Sequence, residues 1–160
     1  MNPEGPYVSV AAICEKVLSE KDGLVSCIRF VDILNLNIHK EKPEEPTGVR
    51  FAVNAFIAFK SGSFVGTKQC VLRLVTPSGK TGKLSAGAPK GYPVIFKGEG
   101  QGYNLILTIE IPASENGLYW FDVMLDDEVY TRIPLRINIT WQSSPSPADS
   151  ENSQQTVDQA

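Results

Sequence analysis

A single histidine and three cysteines leave this chain poor in the residue types on which most metal centres and many enzymes depend. One imidazole excludes every two-histidine metal site and every His-His acid/base pair. The cysteines Cys14, Cys27 and Cys70 cannot all pair with one another, show no CxxC spacing and sit in apolar stretches, so they read as small core hydrophobes. An excess of basic charge is also missing. Fifteen Lys and Arg against eighteen Asp and Glu give a net charge of −3, which argues against a whole-molecule attraction to nucleic acid or anionic lipid. No stretch approaches the ~18 apolar residues of a membrane span. The segment Met1-Asn2-Pro3-Glu4-Gly5-Pro6 lacks the basic and apolar regions of a secretory leader, so the expected compartment is the cytoplasm, with the thiols reduced.

What the chain does contain is strand periodicity. In 103–111, Tyr103, Leu105, Leu107, Ile109 and Ile111 fall on one face and Asn104, Thr108 and Glu110 on the other. From Val129 to Trp141, Val129, Ile133, Leu135, Ile137, Ile139 and Trp141 alternate with polar residues, and Pro134 marks an edge position or a bulge. Further strands are expected at 7–14, 24–36, 49–59, 68–76, 92–96 and 118–125, and only 15–20 has the look of a helical turn. Asp22-Gly23, Ser61-Gly62, Asn116-Gly117 and Asp126-Asp127 are loop signals, and Thr76-Pro77-Ser78-Gly79 fits a type I turn. The polar, proline-rich 40–46 is the best candidate for a crossover between sheets. These features predict an all-β domain over 1–141, an antiparallel β-sandwich of about seven to nine strands. Residues 142–160 turn to Ser, Pro, Gln, Asp and Glu, the composition of a disordered acidic tail.

Several blocks carry a resemblance. Ala11-Ala12-Ile13-Cys14-Glu15, Asp22-Gly23-Leu24-Val25-Ser26 and Phe30-Val31-Asp32 are followed by Leu72-Arg73-Leu74-Val75-Thr76-Pro77-Ser78-Gly79 and Asn116-Gly117-Leu118-Tyr119-Trp120-Phe121. In this order they resemble an uncharacterised family of small bacterial proteins. The resemblance spans most of 7–139 and implies an immunoglobulin-like β-sandwich in a bacterium. It brings no activity or catalytic residues with it.

The residues themselves offer little chemistry. Gly79-Lys80-Thr81 is not a phosphate loop, because Leu74 stands where that motif needs glycine. Gly98-Glu99-Gly100-Gln101-Gly102 leads into a strand rather than a helix and reads as a loop. His39 is the one available imidazole base, but no serine sits in a Gly-x-Ser-x-Gly elbow to partner it. Asp122, Asp126, Asp127 and Glu128 crowd one hairpin, where carboxylates could hold calcium or simply wet a turn. Asn138-Ile139-Thr140 spells a glycosylation sequon inside an expected strand.

The charge distribution is more informative. Residues 60–97 carry Lys60, Lys68, Arg73, Lys80, Lys83, Lys90 and Lys97 and no acid, whereas 111–128 carry Glu115, Asp122, Asp126, Asp127 and Glu128 and no base. Two readings follow: the blocks complement each other across strands, or the basic block faces an acidic partner. The expectation is therefore a non-catalytic binding or structural module without a cofactor. Its candidate contact residues are Lys68, Arg73, Lys80, Lys83, Lys90 and Lys97, its partner is a protein, and self-association through an edge strand is open to it. Phe64, Tyr92 and Phe96 among the lysines would suit single-stranded nucleic acid, a lesser reading because Phe96 alternates as a core residue. A small-ligand or calcium-binding sandwich is the first alternative and a hydrolase the second.

Overall fold

The structure, a computed structural model, describes residues 4–40, 48–84 and 90–142, except the side chain of Lys83. Ten strands follow one another: β1 (Tyr7–Ser19), β2 (Val25–Phe30), β3 (Ile33–Ile38), β4 (Val49–Lys60), β5 (Val65–Val75), β6 (Thr81–Lys83), β7 (Tyr92–Lys97), β8 (Gly102–Ala113), β9 (Gly117–Leu125) and β10 (Glu128–Trp141). They form a four-stranded sheet in the order β2-β1-β4-β8 and a six-stranded sheet in the order β3-β10-β9-β5-β6, with β7 also on β5. The alternating apolar rows meet between the sheets. Val53, Ala55, Ile57, Phe59, Leu105, Leu107, Ile109 and Ile111 of the first sheet bury against Leu72, Leu74, Phe121, Val123, Ile133, Leu135 and Ile137 of the second. Burial of these stripes is the main favourable term in the fold.

The connections depart from the sequence expectation in informative ways. Residues 15–20 are not a helical turn. β1 runs on to Ser19 because Asp22-Gly23 closes a hairpin, with Glu20 N–H donating to Leu24 O at 2.8 Å and Leu24 N–H to Asp22 Oδ1 at 3.1 Å. The stretch 24–36 is two strands, not one. At Val31 and Asp32 the chain leaves β1, where Val31 N–H reaches Ile13 O, for β10, where Arg136 N–H reaches Asp32 O. β3 then runs parallel to β10, the parallel pair in an otherwise antiparallel assembly. The chain returns to the first sheet between β3 and β4; residues 41–46 of the expected crossover lie outside the described residues, as do 143–160 of the expected tail.

Pro134 behaves as expected. Arg136 points its N–H toward Asp32, so Pro134, two positions earlier, points its missing N–H the same way, past the start of β3. Val129 does not share the face of Ile133. A bulge between Val129 and Thr131 flips the alternation, so Val129 pairs with Met124 while Ile133 pairs with the buried Phe121.

Two tight corners fix the ends. Gly79 N–H donates to Thr76 O at 2.9 Å, closing the expected turn, and Glu115 clamps it by accepting from Ser78 Oγ at 2.7 Å and Ser78 N–H at 3.1 Å. These bonds, the Ser78 hydroxyl first, hold the Glu115 carboxyl below its usual range. The fully buried Tyr119 donates its hydroxyl to Glu115 O at 2.8 Å, four residues upstream, and burial pushes its phenol pKa up. This is a tyrosine corner at the entry to β9, and with β10-β9-β5-β6 facing β1-β4-β8 it makes the fold an immunoglobulin-like sandwich. Phe121 occupies the position where antibody domains carry the second cysteine of their bridge, and all three cysteines are free thiols. No helix among the described residues is long and apolar enough to cross a membrane.

Candidate functional site

β9 lies in the middle of the six-stranded sheet, so both of its flanks are spoken for. Tyr119, Phe121, Val123 and Leu125 face the core; Trp120, Asp122 and Met124 face outward. Register lines up three outward rows across β5, β9 and β10: Val75, Trp120 and Pro134; Arg73, Asp122 and Arg132; Val71, Met124 and Val129. Asp122 is 0% exposed although it is on the outer face. A buried carboxylate is expensive unless it is paired, and here arginines cover it from both sides. Arg73 donates Nε–H to Oδ2 at 3.0 Å and adds a second bond from Nη2. Arg132 brings Nε to 2.9 Å from Oδ1 without aiming its N–H at it, so that oxygen is charge-compensated but lacks an aligned hydrogen bond.

The β9–β10 hairpin explains the neighbouring acids. Leu125 pairs with Glu128 across Asp126 and Asp127, whose φ values of 47° and 68° mark a two-residue turn of the primed type, a conformation Asp tolerates. Asp126 then docks onto β5. Its Oδ1 accepts Gln69 N–H at 2.8 Å, its own N–H donates to Gln69 O, and Lys68 Nζ donates to Oδ2 at 2.9 Å. The Gln69 N–H and then Lys68 hold the Asp126 carboxyl below its usual range, and the same bond raises Lys68. Lys68 Nζ also sits 5.5 Å from the centre of the Phe64 ring. Beside this ion pair lies a cleft of about 520 Å³ lined by Tyr7, Phe64, Lys68, Glu128 and Tyr130 among others.

The six basic candidates therefore divide. Lys68 and Arg73 are bonded to acids of the 111–128 block, which is cross-strand complementation. Lys80 ends the β5–β6 turn and is exposed; Lys83 closes β6 opposite Arg73; Lys90 is exposed before β7; and Lys97 is exposed at its end. These four run along the outer border of the six-stranded sheet, because β6 and β7 both pair with β5 and together form one interrupted edge strand. His39 is exposed just beyond β3. The carboxylates considered for calcium do not converge: Asp122 is held by arginines and Asp126 by Lys68 and Gln69, and no group of three His, Cys, Asp or Glu poised for a metal occurs among the described residues. Asn138 of the sequon bonds Asn35 Oδ1 within the β10–β3 pair.

Sequence reasoning missed Arg132 and Trp120. Counting back from the two-residue turn would place Thr131 opposite Asp122; the bulge at residue 130 substitutes Arg132. No local signal announces that bulge.

No family model and no curated protein matches the chain. Among solved structures it is similar to a β-glucosidase from Listeria innocua, at 11% identity and TM-score 0.44 over 82% of this chain and 16% of that one. An alkylpurine DNA glycosylase from Pseudomonas fluorescens matches at 15% identity and TM-score 0.38, over 67% of this chain and 27% of that one. An immunoglobulin-like protein from Pseudomonas aeruginosa matches at 13% identity and TM-score 0.37, over 86% of this chain and 100% of that one. The chain thus spans a small part of the two enzymes.

Proposed function

We propose that this chain is a non-catalytic binding module, a cytoplasmic relative of the small bacterial immunoglobulin-like proteins it resembles, and that the outer face of its six-stranded sheet contacts an acidic protein. The observation that carries this reading is the Arg73–Asp122–Arg132 row, set between Trp120 and Met124. A sheet face that met only water would be expected to carry a plain polar row. Trp and Arg are instead side chains enriched at the centres of protein interfaces, and Trp120 is part-exposed here whereas Met124 is already buried. Asp122 holds the guanidinium groups in place before a partner arrives, which lowers the ordering cost of binding. Arg136 lies exposed on the same face, so arginine outweighs the one carboxylate, and the exposed Lys80, Lys90 and Lys97 extend the positive rim.

Affinity purification from the native host at low salt tests the reading. Arg132→Glu with Arg136→Glu should remove a partner that the parent retains. Lys80→Glu, Lys90→Glu and Lys97→Glu together should keep that partner but slow its association and weaken its salt dependence. An unchanged partner list for the arginine variant overturns the reading. The cleft beside Lys68 favours a second reading, a small-ligand site, because the aromatic rings of Tyr7, Phe64 and Tyr130 line it together with the opposite charges of Lys68 and Glu128. Loss of a co-purifying small molecule on Tyr130→Ala, with protein partners unchanged, would favour that one.

A further inference from the structure

The edges of the two sheets are not equally protected. Unpaired strand edges invite other strands, and proteins blunt them with lysine, proline, bulges or short length. β2 is short and bent by Arg29 at φ 55°. β3 is equally short. The β6–β7 edge carries Lys80, Lys83, Lys90, Lys97 and Pro93, and Tyr103 Oη donates to Pro93 O at 3.3 Å. β8 carries only Glu110 and Pro112 against such pairing, both near its end. It is 12 residues long, pairs with β4 without a register shift, contains no lysine or arginine, and has no strand on its other side among the described residues.

The direction of its backbone groups follows from one bond. Ser61 N–H donates to Gln101 O at 2.9 Å, continuing the β4–β8 ladder, so odd-numbered residues of β8 spend their backbone groups on β4. The even-numbered residues Gly102, Asn104, Ile106, Thr108 and Glu110 aim their N–H and C=O groups away from the sheet. Pro112 shares their parity, so its missing N–H costs β4 nothing.

We propose that this edge pairs with the same edge of a second copy of the chain, antiparallel and about a two-fold axis near Leu107. The occupant follows from the residues presented. Glu110 is the one charged residue in β8. With the axis at Leu107 it faces the partner copy's Asn104, an amide that can donate to it, so no like charges meet. Ile106 then faces Thr108 of the partner copy, and the buried rows of Leu105, Leu107 and Ile109 run on across the junction. Such pairing is isologous and closes on itself, leaving no β8 edge open.

Hydrogen exchange of the full chain, followed amide by amide from low micromolar to near-millimolar concentration, tests this. The amides of Asn104, Ile106, Thr108 and Glu110 should slow by roughly tenfold or more as concentration rises, while those of Leu105, Leu107 and Ile109 stay protected throughout. Sedimentation velocity should show a dimer that Ile106→Lys returns to monomer with an unchanged circular dichroism spectrum. A chain that remains monomeric at the highest concentration overturns the proposal. So does a dimer in which the even-numbered amides still exchange fast, or protection of those amides that is independent of concentration.

Discussion

Asp122 offers a sharp test of how the outer face is held together. Its carboxylate is fully buried, whereas the Arg73 and Arg132 side chains that cover it are 35% and 59% exposed. The consequences of cutting the row therefore depend on which charge is left behind. Asp122→Ala releases both guanidinium groups toward water and should cost about 2 kcal/mol, the worth of charge-assisted hydrogen bonds. Arg132→Ala removes an exposed cation with no aligned bond to Asp122 and should cost about 1 kcal/mol or less. Arg73→Ala removes the bonded partner and should cost about 1.5–2 kcal/mol, so the two single arginine changes together sum to about 3 kcal/mol at most. Removing both arginines strands a buried carboxylate, and the cost should rise to about 3–5 kcal/mol. The signature is an inversion: deleting the two cations hurts more than deleting the anion they hold, and the arginine pair is non-additive. Equilibrium urea unfolding of the four variants measures this directly. Additive arginine effects, together with an Asp122→Ala cost as large as that of the double variant, would refute the reasoning.

Other expectations are simpler to state. Tyr119→Phe should lower stability by about 1–2 kcal/mol in the same assay, since it removes the hydroxyl that bonds Glu115 O. The Asp126 carboxyl is held below its unfolded value, so its contribution is complete above the ordinary carboxylate range and fades as pH falls through its lowered folded value; Asp126→Asn should flatten that acid limb of the stability profile. Cys14 and Cys70 are fully buried, which pushes their thiols to about 11 and about 12, whereas Cys27 is part-exposed and open to reagent, so iodoacetamide at neutral pH should label Cys27 first, as mass spectrometry can show. Calorimetric titration with calcium should give no binding heat, because Asp122 and Asp126 are already committed to protein donors.

Period-two alternation made β8, and β10 beyond its bulge, legible from the residues alone, since strands half-wetted on an antiparallel sheet must show it. The Thr76–Gly79 turn was legible for a related reason: proline and glycine each admit few backbone conformations. What stayed hidden was relational. Nothing local distinguishes a strand that continues from one that leaves its sheet at Val31-Asp32, because both halves are equally apolar. The pairing of Lys68 with Asp126 and Arg73 with Asp122 was foreseeable only as a tendency of two oppositely charged blocks. Its residues depend on the β5–β9 register, set by the buried rows on both strands. Arg132 was further out of reach, since a one-residue bulge decided which β10 side chain would face Asp122.

The parallel lock of β3 onto β10 has a bearing on how the chain is made. Asn35 and Asn138 bond each other across 103 positions, so a ribosome has delivered nearly the whole domain before β3 can meet its mate. Until then Leu34 and Leu36 wait without the neighbour that shields them, and closure of that long loop comes late. A truncation ahead of 136 would leave those leucines as a sticky segment on a half-built protein, the sort of surface that chaperones grip.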